Sequence, residues 1–285
     1  MKTASTNQKS LKRSNRFYQI RITTLATIFI LLAFIPIVLM LFLSFKDTAQ
    51  FFGSFWAFPK PMRWSNYAAA WKILERSMWN TIFAVALATI TTVTLAGMGG
   101  YVFARLEFPH KKFLFMMLLA LMMIPGVLTL TPMYKMVDRM GLKNTWWALW
   151  FPWVSGGQIM GIYMCRTFIG GQPASLFESA RIDGATEFQA FYKIAVPLAK
   201  PILATLVVMN MINFYNDYVW PLLVLDGGVK QVVSVALRVY SSSTGTAEYG
   251  QMIAGFVVAT IPLLLMFCFS ARLYIEGLTS GAIKA

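Results

Sequence analysis

Residues 170–197 read GGQPASLFESARIDGATEFQAFYKIAVP and separate two strongly apolar segments. The pattern predicts two short helices joined by a bend. Pro173 suits the start of a helix, and Ser175 with Glu178 three residues later has the spacing of a capping box. Gly184 can adopt the left-handed conformation that ends a helix. This stretch is therefore expected to be ordered, which a simple connection between two segments would not require.

The second helix of this stretch is predicted to begin at Thr186, which forms a capping box with Gln189, and to stop at Pro197. In the first helix, Leu176, Phe177 and Ala180 would share one face at spacings of three and four. An apolar face outside a membrane fits either a groove of a partner protein or the membrane surface. The residues alone leave these two alternatives open.

The composition around this stretch is that of a membrane protein. Of 285 residues, 58% are hydrophobic and only 13% are charged, whereas soluble domains contain about 25% charged residues. Most of the chain is therefore expected to lie in lipid. The single histidine, His110, and two cysteines in apolar segments cannot build a zinc site, and no phosphate-binding glycine loop is present. We expect no metal, no ATP site and no enzymatic activity in this chain.

Six segments are apolar and long enough to cross about 30 Å of hydrocarbon as helices. The third is interrupted at Ile124-Pro125-Gly126 and at Pro132, and the fourth is rich in tryptophan. The sequence thus predicts an all-α integral membrane protein with a six-span domain over residues 22–275. The predicted spans are residues 22–45, 81–104, 113–134, 144–165, 201–225 and 249–271.

The distribution of lysine and arginine predicts the orientation of these spans. Residues 1–21 contain six basic residues and no acid, which places this tail in the cytoplasm because basic segments are retained there. Six spans then return the tail at 276–285 to the cytoplasm and place loop 166–200 there too. The formal net charge of +14 is explained by lipid phosphates and topology, so no nucleic-acid partner is expected.

The fifth predicted span contains four polar side chains that are costly at membrane depth and therefore candidates for function. Asn213, Asn216 and Asp217 share one face of a helix, and Asn210 lies one turn earlier. Such a face could offer hydrogen bonds to the hydroxyl groups of a solute. The structural alternative, hydrogen bonding between helices, is equally compatible with the sequence.

Three separated matches carry a resemblance to a known family. Glu178-Ser179-Ala180, Gly184, Ile194 and Pro197 resemble the EAA motif of ABC importer permeases, with Ser179 and Val196 as mild departures. The stretch 216–222, NDYVWPL, is similar to the conserved stretch of MalG-type carbohydrate permeases, and the ending 276–285, EGLTSGAIKA, is similar to theirs.

The resemblance implies the type I ABC importer permease fold with cytoplasmic coupling helices, in a bacterial inner membrane. It also implies a second, MalF-like permease, a periplasmic solute-binding protein and two ATPase subunits that hold ATP and Mg, while this chain binds no cofactor. The residues assigned to ATPase coupling are Ser175, Leu176, Phe177, Glu178, Ala180, Arg181, Asp183, Gly184, Ile194 and Pro197. Those assigned to the substrate pathway are Asn210, Asn213, Asn216, Asp217 and Trp220, and Gly281 and Lys284 of the tail are assigned to face the ATPase.

The expected solute is an oligosaccharide. The outer segments carry more basic than acidic residues, which favours an anionic glycan such as a uronate oligomer, although this charge could also serve protein docking. The alternative functions are a self-contained channel or secondary transporter, which leaves the ordered loop unexplained, and an assembly protein, which leaves the polar face of the fifth span unexplained.

Overall fold

The structure, a computed structural model, describes residues 2–244 and 248–282, with side chains described for 18–240 and 248–268. All regular secondary structure in these residues is helical. The helices are α1 (Lys2–Leu43), α2 (Thr48–Gly53), α3 (Ser65–Arg105), α4 (Lys111–Leu121), α5 (Gly126–Arg139), α6 (Trp146–Gly170), α7 (Ala174–Ile182), α8 (Glu187–Ala190), a π-helical turn (Phe191–Ala195), α9 (Val196–Leu198), α10 (Lys200–Asn216), α11 (Val219–Val224), α12 (Val233–Thr244) and α13 (Tyr249–Ala282).

The chain divides into two compact units, Met1–Ala70 with Ser243–Val258 and Trp71–Ser242 with Ala259–Ala285. In the first unit, Tyr18–Leu43 is an apolar stretch with its side chains exposed along most of its length. The buried Lys46 orders the segment that follows, because its ammonium group donates a hydrogen bond of 2.7 Å to the carbonyl of Phe55. The polar and functional features predicted from the sequence lie in the second unit.

Three predicted spans each correspond to one long helix that contains a stretch long and apolar enough to cross a membrane. The second and sixth lie within α3 and α13, whereas the first extends two residues beyond the end of α1 at Leu43. The fourth begins two residues before α6, whose 25 residues extend about 37 Å. By length and composition, the described residues contain three such helices and two bent helix pairs. The count of six spans therefore stays a prediction.

The third predicted span is two helices rather than one. Helices α4 and α5 meet at 98°, with Pro125 in an extended conformation (φ −59°, ψ 126°) between them. Proline has no N–H to continue the helix, and it disfavours helical geometry in the residue before it. The predicted break at Pro125 is thus confirmed, whereas the predicted break at Pro132 is wrong because α5 continues through it.

The fifth predicted span, 201–225, is also not a single helix. Helix α10 ends at Asn216, Asp217 is extended (ψ 117°), and α11 starts at Val219. The Asp217 carboxylate accepts a hydrogen bond of 3.3 Å from the backbone N–H of Trp220, so it satisfies a donor at the start of α11. Helical spacing alone did not indicate this break, at which Asp217 and Tyr218 separate the two helices.

Helices α3 and α6 pack through small residues spaced four apart. A Cβ atom on Gly157 would lie 2.5 Å from Thr92, and one on Gly161 would lie 2.6 Å from Ala96. Gly100 opposes the buried Cys165 in the same way, one turn further along both helices. Small residues at this spacing allow two helix backbones to approach closely, and dispersion contacts then hold the helices together in lipid. This packing fixes α3 against α6.

We predict that Gly100→Ala destabilises the protein. The added methyl group would lie 2.8 Å from the backbone nitrogen of Arg166, and such overpacking costs about 1–3 kcal/mol. Gly156→Ala is the matched control, because no atom lies within 4 Å of a Cβ at that position. Thermal unfolding in detergent checks the prediction. Equal melting temperatures for the two variants would contradict the packing described.

Candidate functional site

In the loop between α6 and α10, residues 171–199, the first helix starts at Pro173 as predicted but lacks the predicted side-chain cap. Helix α7 starts directly after Pro173 (φ −57°), and no side chain caps it. The predicted capping box of Ser175 and Glu178 is therefore wrong. The fixed backbone of Pro173 starts the helix so early that Ser175 already lies inside it. The carbonyl of Ser175 instead accepts a hydrogen bond of 2.6 Å from the hydroxyl of Ser179.

The predicted bend at the end of α7 is confirmed. Gly184 has φ +80°, and its N–H donates to the carbonyl of Arg181 while the N–H of Ala185 donates to that of Ala180. These two bonds form a Schellman motif, which requires a left-handed residue at the position of Gly184. The predicted capping box of Thr186 and Gln189 is also present, with both reciprocal hydrogen bonds.

The predicted stop at Pro197 is displaced by two residues. The chain passes through the π-helical turn into α9 and leaves helical geometry at Ala199 (ψ 4°), where the axis bends by 78° into α10. A proline removes one helical hydrogen bond, and a local π-helical adjustment is one way in which the freed backbone groups find other partners. The loop thus ends in a sharp corner attached directly to α10.

The predicted common face of Leu176, Phe177 and Ala180 is wrong. Phe177 is only 1% exposed, whereas Leu176 is 42% exposed. The guanidinium carbon of Arg105 lies over the ring of Phe177, 4.2 Å from the centroid of that ring. The centroid of the Tyr101 ring lies 6.1 Å from the centroid of the Phe177 ring. Successive residues of a helix point about 100° apart, so Phe177 packs inward against α3 while Leu176 points away.

Two residues of α3 that the sequence analysis missed hold the loop. Arg105 donates hydrogen bonds of 2.6 Å to the carbonyls of Ile169 and Gln172, at the junction of α6 with the loop. The hydroxyl of Tyr101 donates a hydrogen bond of 2.7 Å to Glu187 of α8. The end of α3 is therefore attached to both halves of the loop.

Glu187 is the centre of this attachment. Its carboxylate accepts hydrogen bonds from Arg181, at 2.7 Å, and from Tyr101. The hydrogen bond from Arg181, followed by that from Tyr101, lowers the pKa of Glu187 below its usual value. Arg181, which was predicted to couple to a partner, is thus engaged within the chain. The acid was visible in the sequence, but its contacts depend on tertiary packing.

The outward side of the loop remains apolar. Ile182 is 86% exposed, Phe188 is 67% exposed and Tyr192 is 65% exposed. Leu176 is exposed as well. The sequence analysis missed the first three, although apolar residues in a polar loop were a usable signal. Glu178 and Asp183 are also exposed, and Ala180 and Ile194 are half-buried.

The two residues assigned to the C-terminal tail stay predictions. Gly281 falls within α13, and Lys284 lies outside the described residues.

A cavity of about 470 Å³ lies between α6 and α10. The predicted polar residues Asn210, Asn213, Asn216 and Asp217 all line it, which confirms that they share a face. Asn210 is buried and donates to the carbonyl of Leu206 at 2.8 Å. The side chain of Asn213 is exposed and makes no hydrogen bond to any residue that the structure describes.

An aromatic pair forms one side of this cavity. The ring of Trp153 stacks on Phe214, with centroids 5.3 Å apart and planes inclined by 10°. The indole N–H of Trp153 donates a hydrogen bond of 2.7 Å to Asp217. Trp153 was missed because the tryptophans of α6 were interpreted as an interface belt. The cavity therefore combines hydrogen-bonding amides with an aromatic surface.

The assignment of Trp220 to the pathway is not supported. Its side chain is 3% exposed, it does not line the cavity, and its indole N–H donates to the carbonyl of Ala148 at 2.8 Å. A buried indole needs a hydrogen-bond acceptor, and this one finds it in α6. Trp220 thus fixes α11 to α6.

Comparison with known proteins gives the family. The model of the family described as binding-protein-dependent transport system inner membrane component matches residues 96–276. The trehalose transport system permease protein of Mycobacterium tuberculosis is 31% identical over 88% of this chain and 93% of its own length. The diacetylchitobiose uptake system permease protein of Streptomyces coelicolor is 28% identical over 88% of this chain and 84% of its own.

A solved structure agrees in fold. The chain is similar to a chain in the crystal structure of a bacterial ABC transporter involved in the import of the acidic polysaccharide alginate, with a TM-score of 0.74 and 23% identity. The superposition covers 92% of this chain and 98% of the other chain. The predicted type I permease fold is thus confirmed. The chain belongs to the family of binding-protein-dependent transport system inner membrane components, and it is a permease subunit of an ABC importer rather than an enzyme.

We predict that Tyr101 and Glu187 are energetically coupled. Tyr101→Phe and Glu187→Gln should each weaken the attachment of the loop by about 1 kcal/mol, and the double variant should lose less than the sum. Hydrogen exchange of the loop amides measures each opening free energy. Tyr192→Phe is the control, because Tyr192 is exposed. Additive effects of the two substitutions would contradict the coupling.

The same attachment should depend on pH. Because the folded-state pKa of Glu187 is lowered, its contribution is complete above the ordinary glutamate pKa of about 4.3 and is lost as pH falls through the lower folded value. The loop amides of the native chain should therefore lose protection on acidification, and those of Glu187→Gln should lose less.

Proposed function

We propose that this chain forms one half of the membrane pathway of an importer that carries an oligosaccharide into a bacterial cytoplasm. Its partners are a second, MalF-like permease, two ATPase subunits that bind ATP and Mg, and a periplasmic binding protein that delivers the solute. Both termini and the α6–α10 loop lie on the cytoplasmic side. The solute classes in the names of relatives, trehalose and diacetylchitobiose, support a carbohydrate.

The observation that carries this proposal is the two-sided character of the α6–α10 loop. Its inner side is attached to α3 through Phe177 and Glu187, while its outer side exposes Leu176, Ile182 and Phe188. Exposed apolar side chains on short, ordered helices fit a groove of a partner protein. We assign this outer side, together with the exposed Ser175, Glu178 and Asp183, to contact with an ATPase subunit.

The attachments explain how movement of an ATPase would reach the pathway. A force on α7 is transmitted through Phe177 and Arg105 to α3, and a force on α8 passes through the corner at Ala199 to α10. Helix α10 carries the polar cavity. Binding of ATP shifts the equilibrium between inward-facing and outward-facing states only if it favours one of them. Closure of the ATPase dimer supplies that preference, and the loop conveys it.

The cavity supports a sugar as the solute. Asn213 and Asn216 offer amide donors and acceptors, and the stacked Trp153 and Phe214, although largely buried, form an aromatic part of the cavity wall. Aromatic faces with a few polar groups are typical of small-molecule sites. Among the described residues that line the cavity, Asp217 is the only ionisable one, and none of these residues carries a positive charge. This lining favours a neutral oligosaccharide over the anionic glycan that the charge of the outer segments favoured.

The function is tested by transport into vesicles that contain the complete complex. Asn213→Ala should raise the KM for solute about fivefold, the effect of one lost hydrogen bond of about 1 kcal/mol. Retention of the ATPase subunits should not change, because Asn213 lies in the cavity and not in the loop. Val219→Ala, on the exposed surface of α11, is the control. Unaltered transport by Asn213→Ala for every glycan tested would contradict the assignment of the cavity.

The identity of the solute is tested in the same vesicles. Neutral oligosaccharides and uronate oligomers are each supplied with the binding protein, and stimulation of ATP hydrolysis is measured. The lining of the cavity predicts stimulation by a neutral sugar. Stimulation by uronates alone would show that the outer charge, and not the cavity of this chain, indicates the solute.

A further inference from the structure

A second cavity, of about 780 Å³, lies where α3 ends, α4 begins and α6 approaches the loop. It is separate from the solute cavity and shares none of its lining residues. Its polar lining consists of Glu107, His110, Lys111, Lys112 and Arg166. Neither the transport pathway nor the attachment of the α6–α10 loop uses these side chains.

The cavity carries excess positive charge. The ammonium group of Lys111 lies 2.9 Å from the carboxylate of Glu107 and 2.8 Å from the carbonyl of Leu106, so the one acid in the lining is already neutralised. Lys112 and Arg166 form no ion pair with any residue that the structure describes. Two cations therefore remain for an anionic ligand.

Arg166 is held in place for such a ligand. Its guanidinium lies over the ring of Phe115, 4.0 Å from the centroid, and its side chain is half-buried. Stacking on an aromatic face restricts the guanidinium without using its N–H donors. Those donors form the planar fork that matches the oxygens of a phosphate group.

The edge of the cavity is strongly apolar. Phe113 is 62% exposed and Met116 is 66% exposed, and both line the cavity next to Lys112. Both belong to α4, one of the helices of a bent pair that is apolar enough to enter a membrane. A soluble anion would not need this apolar edge, whereas a molecule with a charged end and hydrocarbon chains would use both parts.

We propose that this cavity binds the headgroup phosphate of an anionic phospholipid of the class of phosphatidylglycerol. Lys112 and Arg166 bind the phosphate, and the acyl chains lie along Phe113 and Met116. Basic pockets beside membrane helices are known to bind anionic headgroups, because local positive charge and surrounding hydrocarbon favour the same ligand. The bound lipid ties the start of α4 to the end of α6. The proposal does not depend on the solute or on the direction of transport.

The proposal is tested by native mass spectrometry of the purified complex titrated with phosphatidylglycerol or phosphatidylcholine. The native chain should retain phosphatidylglycerol preferentially. Lys112→Gln should weaken this binding about fivefold, and Lys112→Gln with Arg166→Gln should weaken it further, since each basic residue near an anionic lipid contributes a similar factor. Lys200→Gln is the control, because Lys200 is exposed and does not line the cavity.

Several results would overturn the proposal. Equal retention of the two lipids, or equal binding by native chain and Lys112→Gln, would exclude an anionic headgroup site. Displacement of the lipid by inorganic phosphate alone would show that the cavity binds a free anion. Loss of an ATPase or permease partner from the Arg166→Gln complex would show that a protein covers the cavity. Because this experiment measures lipid retention and not transport, a result that overturns the lipid site would not contradict the proposed transport function.

Discussion

The stacking of Arg105 on Phe177 is the interaction on which the account of this permease depends. A loop can transmit force to membrane helices only if side-chain packing and hydrogen bonds hold it against them. Here one aromatic side chain is buried beneath a cation at 4.2 Å, and the same arginine binds the backbone where the loop leaves α6. The hydrogen bond between Tyr101 and Glu187 repeats the attachment on the second short helix. The loop thus behaves as an extension of α3 and α10.

The interruption between α10 and α11 is a second feature that shapes this chain. Backbone groups freed inside a membrane must find other partners. At one such break, Asp217 accepts hydrogen bonds from the backbone N–H of Trp220 and the indole N–H of Trp153. The same carboxylate lines the cavity between α6 and α10. Asp217 therefore belongs both to the break in the helix and to the proposed pathway, and α6, which carries Trp153, is held by its close packing against α3.

Local patterns predicted several of the local features. Gly184, the capping box of Thr186 and the break at Pro125 follow from backbone chemistry within a few residues, and the polar face of α10 follows from helical spacing. The sequence could not show that Phe177 points inward or that Trp220 is buried, because these depend on α3 and α6, which lie far away in the chain. The start of α7 at Pro173 was predicted, but the capping box of Ser175 and Glu178 is absent, because a helix that starts at Pro173 already contains Ser175.

The central claim is that the exposed side of the α6–α10 loop contacts an ATPase subunit while Phe177 does not. It is tested most directly by placing a photoactivated crosslinker on Ile182→Cys in the intact complex, with the exposed Cys268 replaced by serine. The account predicts an adduct with the ATPase from Ile182, which is 86% exposed, and none from the buried position 177. Adducts of Ile182 with lipid alone, or labelling of Ile182→Cys from the outside of intact cells, would contradict it.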